Sequence, residues 1–148
     1  MKVIGSRNRK LFFFFTATDG ETRTYRIRRL RCTVCHKIHH ELPDFMVPFK
    51  RLSTEAISRI IEGNDLLQIS SKIITNTFQW FEQKADTFIG LTKRICKHDL
   101  MEPVFFQPDE TLSKLEWLKV AFSHHDKWLA HLVRMIVNRG LWPHTRMG

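Results

Sequence analysis

The chain has only three cysteines, Cys32, Cys35 and Cys96, among its 148 residues. An odd number with a single Cys-x-x-Cys pair excludes the disulfide framework of a small secreted domain. No second Cys-x-x-Cys is present, and that is the ordinary way to finish a tetrahedral zinc site. No apolar run approaches the roughly 20 residues of a membrane-spanning helix. The stretch at residues 11–15 is too short for a secretory signal, and no clean small-residue cleavage site follows it. These absences point to a reducing cytoplasm and no membrane partner. The chain lacks a phosphate loop, a dinucleotide fingerprint and an acidic catalytic cluster, so neither catalysis nor a small-molecule substrate is expected. It also lacks internal repeats and low-complexity segments. Acidic residues are scarce at one end. Residues 1–52 carry 4 Asp/Glu against 12 Lys/Arg, whereas residues 53–148 carry 11 against 12. The net charge of +9 is therefore concentrated in the first third, which points to an acidic partner rather than to charge dispersed for solubility.

What is present begins with a hairpin. Leu11 and the four phenylalanines Phe12 to Phe15 suit a pleated surface, and the run is too short for a helix. Asp19-Gly20 is a strong turn signal, and residues 21–31 read as the return strand. Tyr25 and Ile27 fall on one face of that strand, Arg26 and Arg28 on the other. The strand runs into Cys32-Thr33-Val34-Cys35-His36, with His39-His40 close behind. Residues 1–9 read as a polar lead-in with a Gly5-Ser6 break. Residues 42–49, with Pro43 and Pro48, read as an extended linker.

Helical signals follow. Ser53 or Thr54 caps a helix to Ile61, ended by Gly63. A short second helix is expected near residues 66–69. Ser70 or Ser71 caps a third to about Phe88, with Ile74, Phe78, Phe81, Ala85 and Phe88 inward and Lys72, Thr75, Asn76, Gln79 and Lys84 outward. Helix, short helix and longer helix is the order of a helix-turn-helix unit. Gly90 breaks the third helix in this reading, and residues 91–101 form another. Pro103 and Pro108 bracket a loop. Asp109 and Thr111 open a helix with Leu112, Leu115, Leu118 and Phe122 inward. Asp126 caps the last helix, residues 128–138, closed by Gly140.

Two thiolates at Cys-x-x-Cys spacing can grip one tetrahedral metal ion from a tight turn. Cys32 and Cys35 thus supply half of a structural zinc site, and His39 and His40 are the nearest further donors. Three readings compete: a site completed by His39 or His40, a site completed from outside the chain, and a knuckle that binds no metal. Arg23, Arg26, Arg28, Arg29 and Arg31 lie within nine residues and suit phosphates and guanine edges. The plain alternative is an edge strand protected by charge. Lys72, Thr75, Asn76 and Gln79 would face a DNA groove, although any amphipathic helix has a polar face. His124, His125 and His131 read as surface or packing residues. Trp80, Trp117, Trp128 and Trp142 read as core or interface aromatics. His40-Glu41-Leu42-Pro43 has a faint likeness to the His-x-x-Pro core of HNH nucleases, but no metal-binding finger follows Pro43. Zinc deaminases need the opposite order of motifs.

The motif Arg28-Arg29-Leu30-Arg31-Cys32-x-x-Cys35, then Ile38-His39-His40-Glu41-Leu42-Pro43-Asp44 and Val47-Pro48-Phe49-Lys50-Arg51, resembles a bacterial family. So does the closing Trp128-Leu129-Ala130-x-Leu132-Val133-Arg134 with Leu141-Trp142-Pro143-His144-Thr145-Arg146. That family is of unknown function, found mainly in spore-forming Gram-positive bacteria and associated with mobile elements. The resemblance implies a zinc-ribbon half followed by a transposase-like helix-turn-helix. It also implies a further Cys-x-x-Cys just ahead of the segment matching Val3 to Asn8, which this chain does not show.

The sequence thus leads to an α+β fold, mostly α. Residues 1–52 form a basic zinc-ribbon-like hairpin. Residues 53–148 form a helical region, with a helix-turn-helix at about 53–89 and C-terminal helices at about 91–140. The expected function is non-catalytic DNA binding, accessory to or derived from a transposase, with structural zinc and with a homodimer or a transposase as partner. The alternatives are a protein-interaction module or truncated remnant and, distantly, an HNH-like nuclease.

Overall fold

A computed structural model describes residues 1–16, 19–63, 69–98, 111–123 and 126–143. Three antiparallel strands lead the chain: β1 (Lys2–Thr16), β2 (Asp19–Arg31) and β3 (Ile38–His40), in the order β1-β2-β3. Four helices follow among the described residues: α1 (Thr54–Ile61), α2 (Ser71–His98), α3 (Lys114–Ala121) and α4 (Trp128–Asn138). The fold is α+β, as the sequence led us to expect.

The hairpin is longer than its apolar run. The polar segment expected to lead into it is itself strand, because backbone pairing with β2, residue by residue, does not require buried side chains. Gly5 does not break the strand. It sits at a register shift with φ of 151°, a bulge conformation that favours glycine. Thr16 pairs with Asp19, so Asp19 and Gly20 begin β2 instead of forming the turn. A side chain at Gly20 would meet the Phe12 ring and the Phe13 carbonyl at 2.6 and 2.7 Å. That glycine serves close strand packing, not reversal.

One face of the sheet carries a small core. Leu11 and Ile27 are buried there against Met46, with Phe13, Tyr25, Leu42 and Phe45 around them. The Phe13, Tyr25 and Phe45 rings meet at centroid distances of 5.1–5.8 Å, tilted as aromatic quadrupoles prefer.

The proline-bracketed stretch expected to be an extended linker is a folded seam. Met46 and Val47 are buried, and the Met46 N–H closes a turn on the Pro43 carbonyl at 3.0 Å. Phe49 adopts φ of 64°. The Phe12 N–H donates to the Arg51 carbonyl, and the Ser53 N–H donates to Phe12, at 2.8 and 3.1 Å. Arg9 Nη2 donates to the carbonyls of Val47 and Lys50 at 2.6 and 2.5 Å. Sheet and helices are thereby stitched at the boundary expected near residue 52.

Ser53 caps α1 as expected, its Oγ accepting from the Ala56 N–H at 3.1 Å, and Gly63 follows with φ of 72°. The expected second helix falls largely on residues 64–68, which lie outside the described residues, as do Pro103, Pro108, Asp109, His124, His125 and the tail beyond Pro143. Helix α2 runs straight through Gly90 for 28 residues. Phe81, Ala85 and Phe88 are buried as expected, and the stripe continues with Thr92 and Ile95 beyond the expected break. Phe78, expected inward, is 38% exposed. Ser113 caps α3, and Leu112 is exposed where an inward position was expected. Lys127, not Asp126, stands at the N-cap of α4, with no side-chain cap bond. At its other end Gly140 takes φ of 65°, with the Leu141 N–H on the Ile136 carbonyl and the Gly140 N–H on Val137. This is the glycine-centred helix ending expected there.

The main core lies among the four helices: Phe88, Leu118, Trp128, Leu129, Leu132 and Ile136 are essentially inaccessible. The Trp128 indole N–H donates to Glu62 Oε1 at 2.8 Å, which satisfies its one polar atom.

Candidate nucleic-acid interface

Strand alternation divides the arginines of β2. Arg23, Arg29 and Arg31 share the face of Tyr25 and Ile27, whereas Arg26 and Arg28 lie opposite. Their surroundings differ as much as their directions. Arg23 pairs with Glu21 two residues earlier on the same face. Arg26 Nε donates to Ser6 Oγ at 2.7 Å. Arg28 grips both oxygens of Glu41, the bidentate geometry that suits a guanidinium. That bond holds the Glu41 carboxyl below its ordinary pKa.

Arg29 and Arg31 have no acid partner among the described residues. Two residues that sequence reasoning missed join them on the same face. Arg7 stands opposite Ile27, and Lys2 stands opposite Arg31. Only the register reveals this, because the bulge near Gly5 resets the alternation of β1. Partial burial, then the charges of Arg29, Arg7 and Arg9, hold the His40 imidazole below its ordinary pKa.

The Cys-x-x-Cys segment turns the chain from β2 into β3. The Cys32 N–H donates to the Lys37 carbonyl, and the His36 N–H donates to Cys32, at 3.0 and 3.1 Å. His36 takes φ of 57° to close the turn. The Cys35 N–H lies 3.5 Å from Cys32 Sγ. N–H donation from Cys35, then from Val34, then the Cys35 thiol, and more weakly the N-terminal ammonium, pull the Cys32 thiol below its ordinary pKa. Neither cysteine forms a disulfide.

The two histidines do not turn the same way. His40 pairs with Arg29 and His39 with Leu30, so successive β3 positions send them to opposite faces. Among the described residues no group of three His, Cys, Asp or Glu side chains gathers to hold a metal. The turn thus aims the Cys35 backbone N–H at the Cys32 sulfur, with Cys35 three residues on.

Lys72, Thr75, Asn76 and Gln79 are all exposed and share one face of the first turns of α2. The Ser70 Oγ accepts from the Ile73 N–H at 3.4 Å, and no acidic residue sits in the first turn to oppose an anion. Just beyond, Lys50 Nζ lies 4.6 Å from the Trp80 ring centroid, which ties the seam to α2. Burial, then Lys84, lowers the Lys50 pKa. No helix among the described residues is long and apolar enough to cross a membrane.

The family model described as Domain of unknown function (DUF6431) matches residues 1–80, more than half of the chain. The chain belongs to that family. The matched segment takes in the basic sheet, the knuckle, the seam, α1 and the exposed first turns of α2. No curated protein and no solved structure matches the chain.

Proposed function

We propose that this DUF6431 protein is a non-catalytic DNA-binding protein, accessory to or derived from a transposase and working in the cytoplasm. In this reading the basic hairpin grips phosphates, and α2 presents Lys72, Thr75, Asn76 and Gln79 to base edges. The observation that carries the reading is the unbalanced charge at one end of the sheet, where basic side chains meet no carboxylate among the described residues. Cations left without acids are suited to releasing counterions from a polyanion. Asn and Gln on an exposed helix face can pair with adenine edges. Cys32 and Cys35 would hold a structural zinc ion, with the remaining ligands from a second chain or another segment. Zinc that copurifies with the chain and is lost on Cys32→Ser/Cys35→Ser supports that role. Equal zinc in both proteins sinks it.

Fluorescence anisotropy with duplex DNA at 50 and 200 mM salt tests the main reading. Four phosphate contacts imply a slope near −3.6 in log affinity against log salt, a loss of about 10²-fold over that range. A loss below about threefold rejects it. A second reading, docking on a partner protein, draws on Ile73 and Phe78, which are 42% and 38% exposed on the same turns of α2. Apolar docking would survive the salt that dissolves a DNA complex.

A further inference from the structure

The two faces of the hairpin are not equivalent. On one, Arg26 is bonded to Ser6 and Arg28 to Glu41. On the other, the rungs beyond Ile27 carry positive charge in succession: Arg7 at the Ile27 rung, Arg29 opposite Gly5, and Arg31 between Lys2 and Ile38. Like charges placed directly opposite one another in a sheet repel. Lys2 and Arg31 are such a pair, and Arg7 and Arg29 are diagonal neighbours within reach of each other's long side chains. Gly5 lies between them without a side chain, and a Cβ built there would meet nothing within 4 Å. The result is one backbone position without a side chain, flanked in the register by Arg7, Arg29 and the Lys2–Arg31 pair. It lies just beyond the buried Leu11, Ile27 and Met46, so packed side chains hold one side of it in place.

We infer that this face, with Lys2, Arg7, Arg29 and Arg31 around Gly5, is where the phosphodiester backbone of duplex DNA sits, and that Arg26 and Arg28 on the other face are structural. An anion seated over Gly5 would relieve the repulsion that the register builds in. The inference rests on the DNA-binding reading and sharpens it to one face.

The test compares two double variants that remove equal charge. Binding of a fluorescent duplex is measured across a salt series for the wild type, Arg7→Gln/Arg31→Gln and Arg26→Gln/Arg28→Gln, with thermal melts of each. The first variant is expected to lose at least tenfold in affinity at 100 mM salt and to flatten the salt slope by about 1.8, two contacts' worth. The second is expected to lose less than threefold. A gain-of-contact variant guards against a failure to fold. Ile38→Lys, on the same face and 43% exposed in the wild type, is expected to steepen the slope by about 0.9. Equal losses in the two double variants, a reversed order, or an Ile38→Lys slope that does not move would overturn the choice of face while leaving DNA binding intact. A wild type without salt-dependent DNA binding would remove both readings together.

Discussion

Alternation along β2 decides which of its arginines can meet a ligand. The cluster of five was legible in the sequence, because Arg at that density is hard to miss. Its division between two faces followed from strand alternation, but the partners were only partly legible: Glu21 is a same-strand neighbour of Arg23, whereas Ser6 and Glu41 reach Arg26 and Arg28 through register and through the return of the chain after β3. Arg7 was missed for the same reason: nothing in a polar lead-in announces a strand. Cys32 shows how a turn sets chemistry at a single residue. Backbone N–H groups aimed at its sulfur favour the thiolate, so its pKa is depressed in the folded chain. The sign of the linkage follows. The contribution to stability is present above the unfolded thiol pKa, near 8.5, and is lost as pH falls through the folded value. In chelator-treated protein, alkylation of Cys32 should follow thiolate formation at a lower pH than in urea-unfolded chain, read by mass spectrometry of the modified peptide. Identical pH profiles in the two states would mean that the turn does not hold its sulfur this way.

Elements were legible where the signal was local. Ser53 caps α1 and Gly140 closes α4, because each acts on hydrogen bonds within a few residues of itself. They were misread where tertiary contact overrules a local signal. Asp19-Gly20 has the chemistry of a turn, yet the Phe12 ring fills the space above Gly20 and keeps that glycine inside β2. Pro43 and Pro48 suggest an extended spacer, but the buried Met46 and Val47 fold it into a seam. Gly90 suggests a break, but Phe88, Thr92 and Ile95 carry one buried stripe across it, and the Thr92 hydroxyl is satisfied on the Phe88 carbonyl at 2.7 Å. This last reading gives a direct test. Gly90 is exposed, helical and surrounded by open space, so alanine there should fit without strain. Gly90→Ala is expected to stabilise the chain by about 0.5–1 kcal/mol through reduced backbone entropy of the unfolded state. For a chain of this size that raises the melting temperature by roughly 1–4 °C. A lower melting temperature would place a bend at Gly90 after all.

At the scale of the whole molecule, the question is whether hairpin and helices form one cooperative unit. Their cores are separate: Leu11, Ile27 and Met46 serve the sheet, and the larger cluster around Phe88 and Leu132 serves the helices. Between them lie backbone bonds from Phe12 to Arg51 and Ser53, and the two bonds that Arg9 donates to Val47 and Lys50. A small sheet that buries only Leu11 and Ile27 of its own, against Met46 of the seam, has little stability of its own, so the seam should bind its unfolding to that of the helices. Arg9 is the most exposed point of this arrangement to attack by mutation. Its guanidinium is half-buried, and burial, then Arg7, lowers its pKa, so its two charge-assisted bonds must offset a desolvation cost. Fluorescence separates the two parts, because Trp80, Trp117, Trp128 and Trp142 all lie beyond residue 53, whereas the single tyrosine, Tyr25, lies in the hairpin. The wild type should give coincident thermal transitions by tryptophan fluorescence and far-ultraviolet circular dichroism. Arg9→Met, which keeps an apolar stem but no donor, should cost about 2–3 kcal/mol and let the hairpin melt ahead of the tryptophan signal. Arg26→Met, which removes only an exposed bond to Ser6, should change stability by less than about 0.5 kcal/mol. Coincident transitions and an unchanged midpoint in Arg9→Met would move the coupling from Arg9 to the backbone bridges at Phe12 and Leu52. A DNA ligand held by the sheet would then be expected to protect the tryptophan-bearing helices as strongly in that variant as in the wild type.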